Sequence, residues 1–545
     1  MKQRRVLPQL GDWARMCAGF RWDAPKKYNI AERCCDSWAA TDPDRVAIVH
    51  LDGFGGRQVW TYGQLKRASD GLAASLRARG VARGDRVAVL LAQSPAVLIT
   101  HMAAYKLGAV VLPLFTLFGP DALRYRLADS GARAVVTDAG NLDKVMGLRA
   151  DLPDLLEVYC TDRAVAPCRD FWDELETPNS FVPVATLAED PACLIYTSGT
   201  TGDPKGVLHA HRFLIGHLPA IETQFEGFAH PGAVGWTPAD WSWIGGLMDL
   251  AMPCLYYGVP VISRRMGKFD PDEGFALLRD EAVTASFLPP TALKMMRQAT
   301  VPAQLKLRAV FSGGESLGAE LLEWGVTHLG APINEGYGQT ECNLVLGASA
   351  GSMEIKPGSM GRAIPGHDVA VIDAAGMPVP DGELGEIAVR RPDPVMFLRY
   401  WNKPKATLAK FAGDWMRTGD LGRRDADGYF WYVSRDDDVI TSAGYRIGPV
   451  EIENCLMGHP DVANAAVVGV PDAARTEVVK AFIVARKGAA LDGLDDQLVA
   501  LVRARISPHV APRQVEFVDD LPVTATGKVM RRMLRDRESG AAKSS

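Results

Sequence analysis

The run Tyr196-Thr197-Ser198-Gly199-Thr200-Thr201-Gly202-Asp203-Pro204-Lys205-Gly206 concentrates hydroxyls, glycines and one lysine where no apolar core is required. Glycines let backbone N–H groups approach a phosphate with no Cβ in the way, Thr and Ser hydroxyls donate to its oxygens, and Lys205 adds a compact positive charge. A polyphosphate is the guest that suits this chemistry. P-loop mechanics do not apply, because the residue that should be the second glycine after Gly199 is Pro204. The alternative is a solvated Gly/Ser/Thr linker, and the rest of the chain decides between the two.

The flanking elements read as an α/β body. Residues 46–51 form an apolar strand pattern. Thr61 and Gln64 make a capping box that opens a helix with Leu65, Ala68, Leu72 and Leu76 on one face, ending at Gly80. A strand follows over 87–91, and alternation of this kind past residue 320 predicts a parallel sheet. From about 351 the pattern changes to short strands and turns, among them Asp373-Ala374-Ala375-Gly376 and Asp381-Gly382, which predicts a β-rich subdomain over 351–434. The charged turn Arg435-Asp436-Asp437-Asp438 marks a boundary between a large domain, 1–434, and a small α+β domain, 435–545.

With 545 residues, two or more domains are expected. A net charge of −5 with both signs interspersed offers no basic face for nucleic acid and no polybasic membrane signal, so small molecules are the expected guests. The nine cysteines show no metal-ligand spacing, and the vicinal Cys34-Cys35 pair is a poor structural disulfide; reduced thiols in the cytoplasm fit better. Gln9, Asp12 and Arg15 interrupt any secretory h-region. The apolar stretch 87–118 is broken by Gln93-Ser94-Pro95, His101 and Lys106, which predicts core helix and strand and no membrane span. A homo-oligomer is compatible with this composition.

Five blocks stand in order: 196–206; Glu335-Gly336-Tyr337-Gly338-Gln339-Thr340-Glu341; Trp415-Met416-Arg417-Thr418-Gly419-Asp420; 435–448; and Pro522-Val523-Thr524-Ala525-Thr526-Gly527-Lys528. Together they resemble the adenylate-forming superfamily of acyl-CoA synthetases, adenylation domains and luciferases. The phrases around Trp243, Gly313 and Gly338 look most like medium-chain acyl-CoA synthetases and their acetyl-CoA synthetase relatives. The resemblance implies two half-reactions. A carboxylate attacks the α-phosphorus of ATP, giving acyl-AMP and pyrophosphate, and the thiol of coenzyme A then displaces AMP.

The resemblance also assigns residues. Thr197, Ser198, Gly199, Thr200, Thr201 and Lys205 would hold the β- and γ-phosphates, and Thr340 the α-phosphate. Glu341 offers the hard oxygen that Mg²⁺ prefers beside phosphate. Gly314, Glu315, Glu335, Gly336 and Tyr337 correspond to the adenine slot, with the Tyr337 ring as a stacking face. Asp420 would accept both ribose hydroxyls, Arg435 would contact the ribose from the other side, and Arg446 would reach the phosphates. Lys528 would bridge carboxylate and α-phosphate during adenylation. Asp437 occupies the hinge about which the small domain swings between half-reactions, and Gly444 leaves room for the pantetheine arm.

Acyl choice is expected at Trp243, Ile244, Gly245, Gly313 and Gly338. Acetate-specific relatives carry a Trp where this chain has Gly338, so the missing indole is expected to open a cavity, enlarged by Gly313. At about 0.8 kcal/mol per buried methylene, longer acids should then outcompete acetate. Short- to medium-chain or branched fatty acids are expected, with an aromatic acid such as benzoate open because Trp243 could stack on a ring. Two further readings stand beside this one: an enzyme that loads a carrier protein, and a catalytically silent nucleotide-binding scaffold.

Overall fold

The computed structural model describes residues 4–8, 10–162, 166–176, 181–197, 204–315, 317–435, 438–442, 445–472, 476–524 and 528–541. They fall into two compact units, one of residues 1–368 with 390–414, the other of 369–389 with 415–545.

The larger unit is built on two sheets. The first runs in the order Arg362–Ala363, Leu346–Gly347, Ile333–Tyr337, Ala309–Gly313, Ala285–Phe287, Gly235–Trp236, Val261–Arg264, Val46–Leu51, Arg57–Thr61. Its central pairings are parallel, as the alternation of strand and helix patterns requires. Antiparallel strands flank it at both ends. The second sheet runs Arg399–Tyr400, Lys205–Ala210, Pro191–Thr197, Val110–Pro113, Arg86–Leu90, Ala132–Thr137, Glu157–Cys160, Arg169–Asp170.

One core is shared by faces of both sheets, from Val87, Val89 and Val111 in one to Ile48, Val261 and Phe311 in the other. Between them lies the helix Pro95–Leu107, whose residues are all buried. Proline in its first turn and Gly108 at φ 68° bound it. Its composition is mostly apolar, with the buried Lys106 paired to Asp36 and Asp70, which suits a helix covered on every side. No helix among the described residues is long and apolar enough to cross a membrane. The capping box at Thr61 and Gln64 forms as the sequence predicts and opens the helix Tyr62–Ala78, with Leu65, Ala68, Leu72 and Leu76 buried.

In the smaller unit the strands Val369–Ile372, Gly385–Arg390, Trp415–Arg424 and Phe430–Arg435 form one sheet. A second sheet holds Tyr445–Ile447, Ile440–Ser442, Thr476–Ala485, Val462–Asp472 and Gln514–Phe517. Helices Pro449–Met457, Leu494–Arg505 and Arg531–Ala541 complete the unit. This grouping differs from a boundary at 435, because the strands before that turn pack with the chain after it. The backbone of Gly448, for instance, lies so close to Val433 that a Cβ there would stand 2.3 Å from the Val433 carbonyl oxygen.

Candidate active site

The described residues at either end of the hydroxyl- and glycine-rich run belong to two paired strands. Pro191–Thr197 and Lys205–Ala210 pair antiparallel, with Thr197 opposite Lys205 and Tyr196 opposite Gly206. The Thr197 hydroxyl donates to the Lys205 carbonyl at 3.4 Å. Ser198, Gly199, Thr200 and Thr201, expected on phosphate, lie outside the described residues. This strand pair is held from three sides. Tyr196 donates to Asp129 at 2.5 Å, Tyr125 donates to the Pro204 carbonyl at 3.1 Å, and the Trp401 N–H donates to the Gly206 carbonyl at 2.7 Å.

Strand Arg399–Tyr400, paired to Lys205–Ala210, brings Tyr400 into the site. The Lys205 ammonium stands 5.3 Å from the centre of the Tyr400 ring, and the Tyr400 hydroxyl donates to the Glu341 carboxylate. Phe397 N–H fixes the Glu341 carbonyl at 2.8 Å. Lys205, Tyr400 and Glu341 therefore converge, and Thr340 lies half-buried beside them on the same turn. Sequence reading missed Tyr400, which sits on a strand of two residues with no periodicity to reveal it.

Glu335, Gly336 and Tyr337 lie at the end of the central strand Ile333–Tyr337, with Ser312 opposite Glu335 and Gly313 opposite Gly336. Gly314 turns the neighbouring strand outward at φ +102°, a conformation open to glycine. Tyr337 and Glu315 are half-buried. The Glu335 side chain accepts from the Leu317 N–H at 2.8 Å, tying Leu317 to the strand. Burial pushes its carboxyl up to about 7, against the opposing pull of that N–H.

The wall expected to take the acyl group is aromatic. Trp243 and Phe287 have ring centres 5.4 Å apart, and Phe287 and Phe311 5.1 Å. A Cβ at Gly245 would touch both Trp243 and Phe287 at 3.0 Å. Ile244 is buried. Gly313 and Gly338 correct the expectation of a cavity. A Cβ at Gly338 would stand 2.2 Å from the Leu344 backbone nitrogen, and one at Gly313 would stand 2.8 Å from the Gly336 carbonyl oxygen. In both places the space beside the glycine is filled by backbone, so the missing side chains serve close approach of the chain and open no room for acyl methylenes.

Behind the Thr340-Glu341 turn lies a buried polar chain. His217 Nδ1 donates to the Phe213 carbonyl at 2.5 Å, and its Nε2 accepts from the Asn343 amide at 2.8 Å. The same amide donates to Asp249 at 2.5 Å. Burial holds His217 down at about 4, hence neutral, which agrees with one ring nitrogen donating and the other accepting. Burial raises Asp249 well above the ordinary carboxyl range. Asp249 sits on the π-turn Leu247–Ala251 that continues the helix begun at Ile244. Its signal in the sequence is a lone carboxylate in an otherwise apolar run.

In the smaller unit, Thr418, Gly419 and Asp420 lie on the strand Trp415–Arg424, and Asp420 is opposite Arg435 on Phe430–Arg435. The guanidinium Nε of Arg435 is 3.4 Å from the Asp420 carboxylate. Gly419 is at φ +79°, and Glu386 accepts from its N–H at 2.7 Å, which fixes the bend that presents Asp420. Lys528 is exposed beside the antiparallel bridge of Val523 and Val529, its N–H donating to the Thr524 hydroxyl at 3.1 Å and its carbonyl accepting from the Thr524 N–H at 2.8 Å. The helix that follows carries Arg531, which pairs with Glu453 at 2.6 Å, and Arg535, which pairs with Asp438 at 2.6 Å. Arg446 lies on the strand Tyr445–Ile447. Asp437 and Gly444 lie outside the described residues.

Residues 35–401 match the AMP-binding enzyme family, and residues 451–528 match the AMP-binding enzyme C-terminal domain. The chain belongs to the AMP-binding enzyme family. Acyl-coenzyme A synthetase ACSM4, mitochondrial, of Homo sapiens is 34% identical over 94% of this chain and 91% of its own. Acetyl-coenzyme A synthetase of Bacillus subtilis is 33% identical over 96% and 93%. The solved anthranilate CoA ligase AuaEII, in complex with anthranoyl-AMP, superposes with a TM-score of 0.88 at 26% identity, covering 96% of this chain and 99% of that one. This AMP-binding enzyme is an acid-thiol ligase of the AMP-forming acyl-CoA synthetase class, with ATP and coenzyme A as co-substrates.

Proposed function

We propose that the protein converts a short- to medium-chain or branched fatty acid, ATP and coenzyme A into acyl-CoA, AMP and pyrophosphate by way of an acyl-adenylate. The observation that carries the reading is the meeting of Lys205, Tyr400 and Glu341 where that strand pair reaches the Thr340-Glu341 turn. Thr197 and Lys205 are proposed to hold the outer phosphates and Thr340 the α-phosphate, so that donors already fixed by the fold face the charge that develops there. Glu341 is the proposed Mg²⁺ ligand. Its carboxylate is a hard oxygen donor steadied by Tyr400, and no group of three acidic, His or Cys residues stands ready to cage an ion among the described residues. That donor set fits a cation that takes most of its oxygens from phosphate and water. When bound, Mg²⁺ would neutralise phosphate charge.

Asp420 and Arg435 are proposed for the ribose, a carboxylate offering two acceptors to two adjacent hydroxyls. Lys528 is proposed to act in adenylation alone, Gly444 in the pantetheine path, Arg446 at the phosphates and Asp437 as the hinge. The chain-length choice rests on similarity to the medium-chain enzymes and on Trp243 and Ile244, since Gly313 and Gly338 no longer support it.

An aromatic acid is the second reading. It is favoured by the Trp243, Phe287 and Phe311 rings, a surface on which a flat acyl group packs well. The deciding experiment is pyrophosphate release over a panel of carboxylic acids from acetate to octanoate, with isobutyrate and benzoate, with and without free coenzyme A. Acyl-CoA formation peaking among the four- to eight-carbon acids is the expected result. A peak at benzoate would select the aromatic reading, pyrophosphate release without use of free coenzyme A would select carrier-protein loading, and no release with any acid would refute the proposal.

A further inference from the structure

Asp249 is a carboxyl with 3% exposure and one polar partner, on the helical stretch that begins at Ile244, and an isolated buried carboxyl of this kind is costly. Only one of its oxygens is engaged, by the Asn343 amide. Asn343, 6% exposed, spends its NH₂ on His217 and Asp249, and its carbonyl oxygen Oδ1 has no partner among the described residues. Two oxygens, Asp249 Oδ2 and Asn343 Oδ1, are thus left without a partner among the described residues. Neither is among the fully enclosed, unpartnered polar atoms of the interior, so each keeps some accessible surface.

Two observations place the pair. Asp249 lies four residues after Gly245 along the same helical stretch, and Gly245 faces Trp243 and Phe287. The backbone of Asn343 abuts Gly338 on the turn that carries Thr340 and Glu341. The Asp249–Asn343 pair consequently ties the Trp243–Gly245 segment, proposed to face the acyl group, to the Thr340-Glu341 turn. We infer that Asp249 and Asn343 are specificity-determining residues that receive a hydroxyl or amino group carried on the hydrocarbon part of the acid. A polar pair of this kind rewards a donor on the substrate and penalises its absence, because the unmet buried groups are costly in the complex with a plain hydrocarbon.

This inference rests on the acyl-CoA synthetase reading, and the test separates the two. Wild-type kcat/KM for acyl-CoA formation is measured for hexanoate and benzoate and for each of their monohydroxy and monoamino derivatives. At least one substituted acid should exceed its parent by about 100-fold or more. In Asp249→Leu that ratio should collapse to within about threefold, chiefly through loss on the substituted acid. If Asp249→Leu does not fold, Asp249→Asn keeps the shape while replacing an oxygen that can accept by an NH₂ that only donates. The amino acid's advantage over the hydroxy acid should then fall by about tenfold or more. Wild-type enzyme that favours no substituted acid, a folded Asp249→Leu that slows parent and substituted acids equally, or an unaltered ranking in Asp249→Asn would each overturn the inference. Failure of every acid, parents included, to give acyl-CoA would instead overturn the class of reaction.

Discussion

Gly338→Ala is the most telling single change, because one methyl group separates two accounts of the glycine. The added Cβ would stand 2.2 Å from the Leu344 nitrogen, 2.9 Å from the Asn343 carbonyl carbon and 3.1 Å from its Cα. Restoring ordinary contact near 3.4 Å requires the 343–344 backbone to retreat by about 1 Å, and backbone has no rotamer with which to yield. The cost of such overpacking is about 1–3 kcal/mol. The retreat also carries Asn343 away from His217 and Asp249, now 2.8 and 2.5 Å off, and loosens the turn that holds Thr340 and Glu341. A displacement of that size beside reacting groups lowers rate by about 100-fold. Pyrophosphate exchange with acetate, butyrate, hexanoate, octanoate and benzoate should therefore fall in parallel, their ratios unchanged within about threefold. The melting temperature should fall with them. Wild-type rates on acetate combined with selective loss of the longer acids would refute the reasoning, since a Cβ with that effect must point into the acyl cavity.

Lys528→Ala should lower acyl-AMP formation by about 100-fold or more, as loss of a charge-stabilising donor does, while thioester formation from supplied acyl-AMP persists; equal loss of both halves would contradict its assignment. Tyr400→Phe keeps the ring beneath Lys205 and removes the hydrogen bond to Glu341, so adenylation should slow by about tenfold and need more Mg²⁺, measured by pyrophosphate exchange against Mg²⁺ concentration. Glu335→Gln should change how stability depends on pH. The buried carboxyl near 7 lies above its ordinary 4.5, so the folded state holds the extra proton and stability falls as pH rises from about 4.5 through 7. The shift corresponds to about 3 kcal/mol, and denaturant midpoints at pH 5 and pH 8 should lie closer together in the variant than in the wild type.

What could be read from the sequence follows the range over which each signal acts. The capping box at Thr61 and Gln64, the face of Leu65, Ala68, Leu72 and Leu76, and the strand at 46–51 are decided by near neighbours, and they form as the pattern dictates. Tyr400 and Asn343 owe their places to partners 59 and 126 residues away, Glu341 and His217, which no local pattern encodes. Gly338 shows a different difficulty. A glycine in a sequence can mean an empty space or a chain passing too close for any side chain, and here only the position of Leu344 distinguishes them. The grouping of 415–435 with the later chain was hidden for the same reason, since the turn at 435–438 is a strong local break inside a unit assembled from distant segments.

That assembly has a consequence for synthesis. The strands Val369–Ile372 and Gly385–Arg390 leave the ribosome as a hairpin, and residues 390–414 then belong to the other unit before Trp415–Arg424 arrives to cover the hairpin's second strand. A lone hairpin is marginal in water, and this one carries Ala370, Ile372 and Ala388 on the face that the finished sheet buries. At about 5–20 residues per second, the stretch from 390 to 424 takes about 2–7 s to emerge. For those seconds the nascent chain displays an unpaired strand edge beside a small apolar face. The rate at which this one stretch is translated thus governs how long the chain is open to pairing with a neighbour instead of with itself.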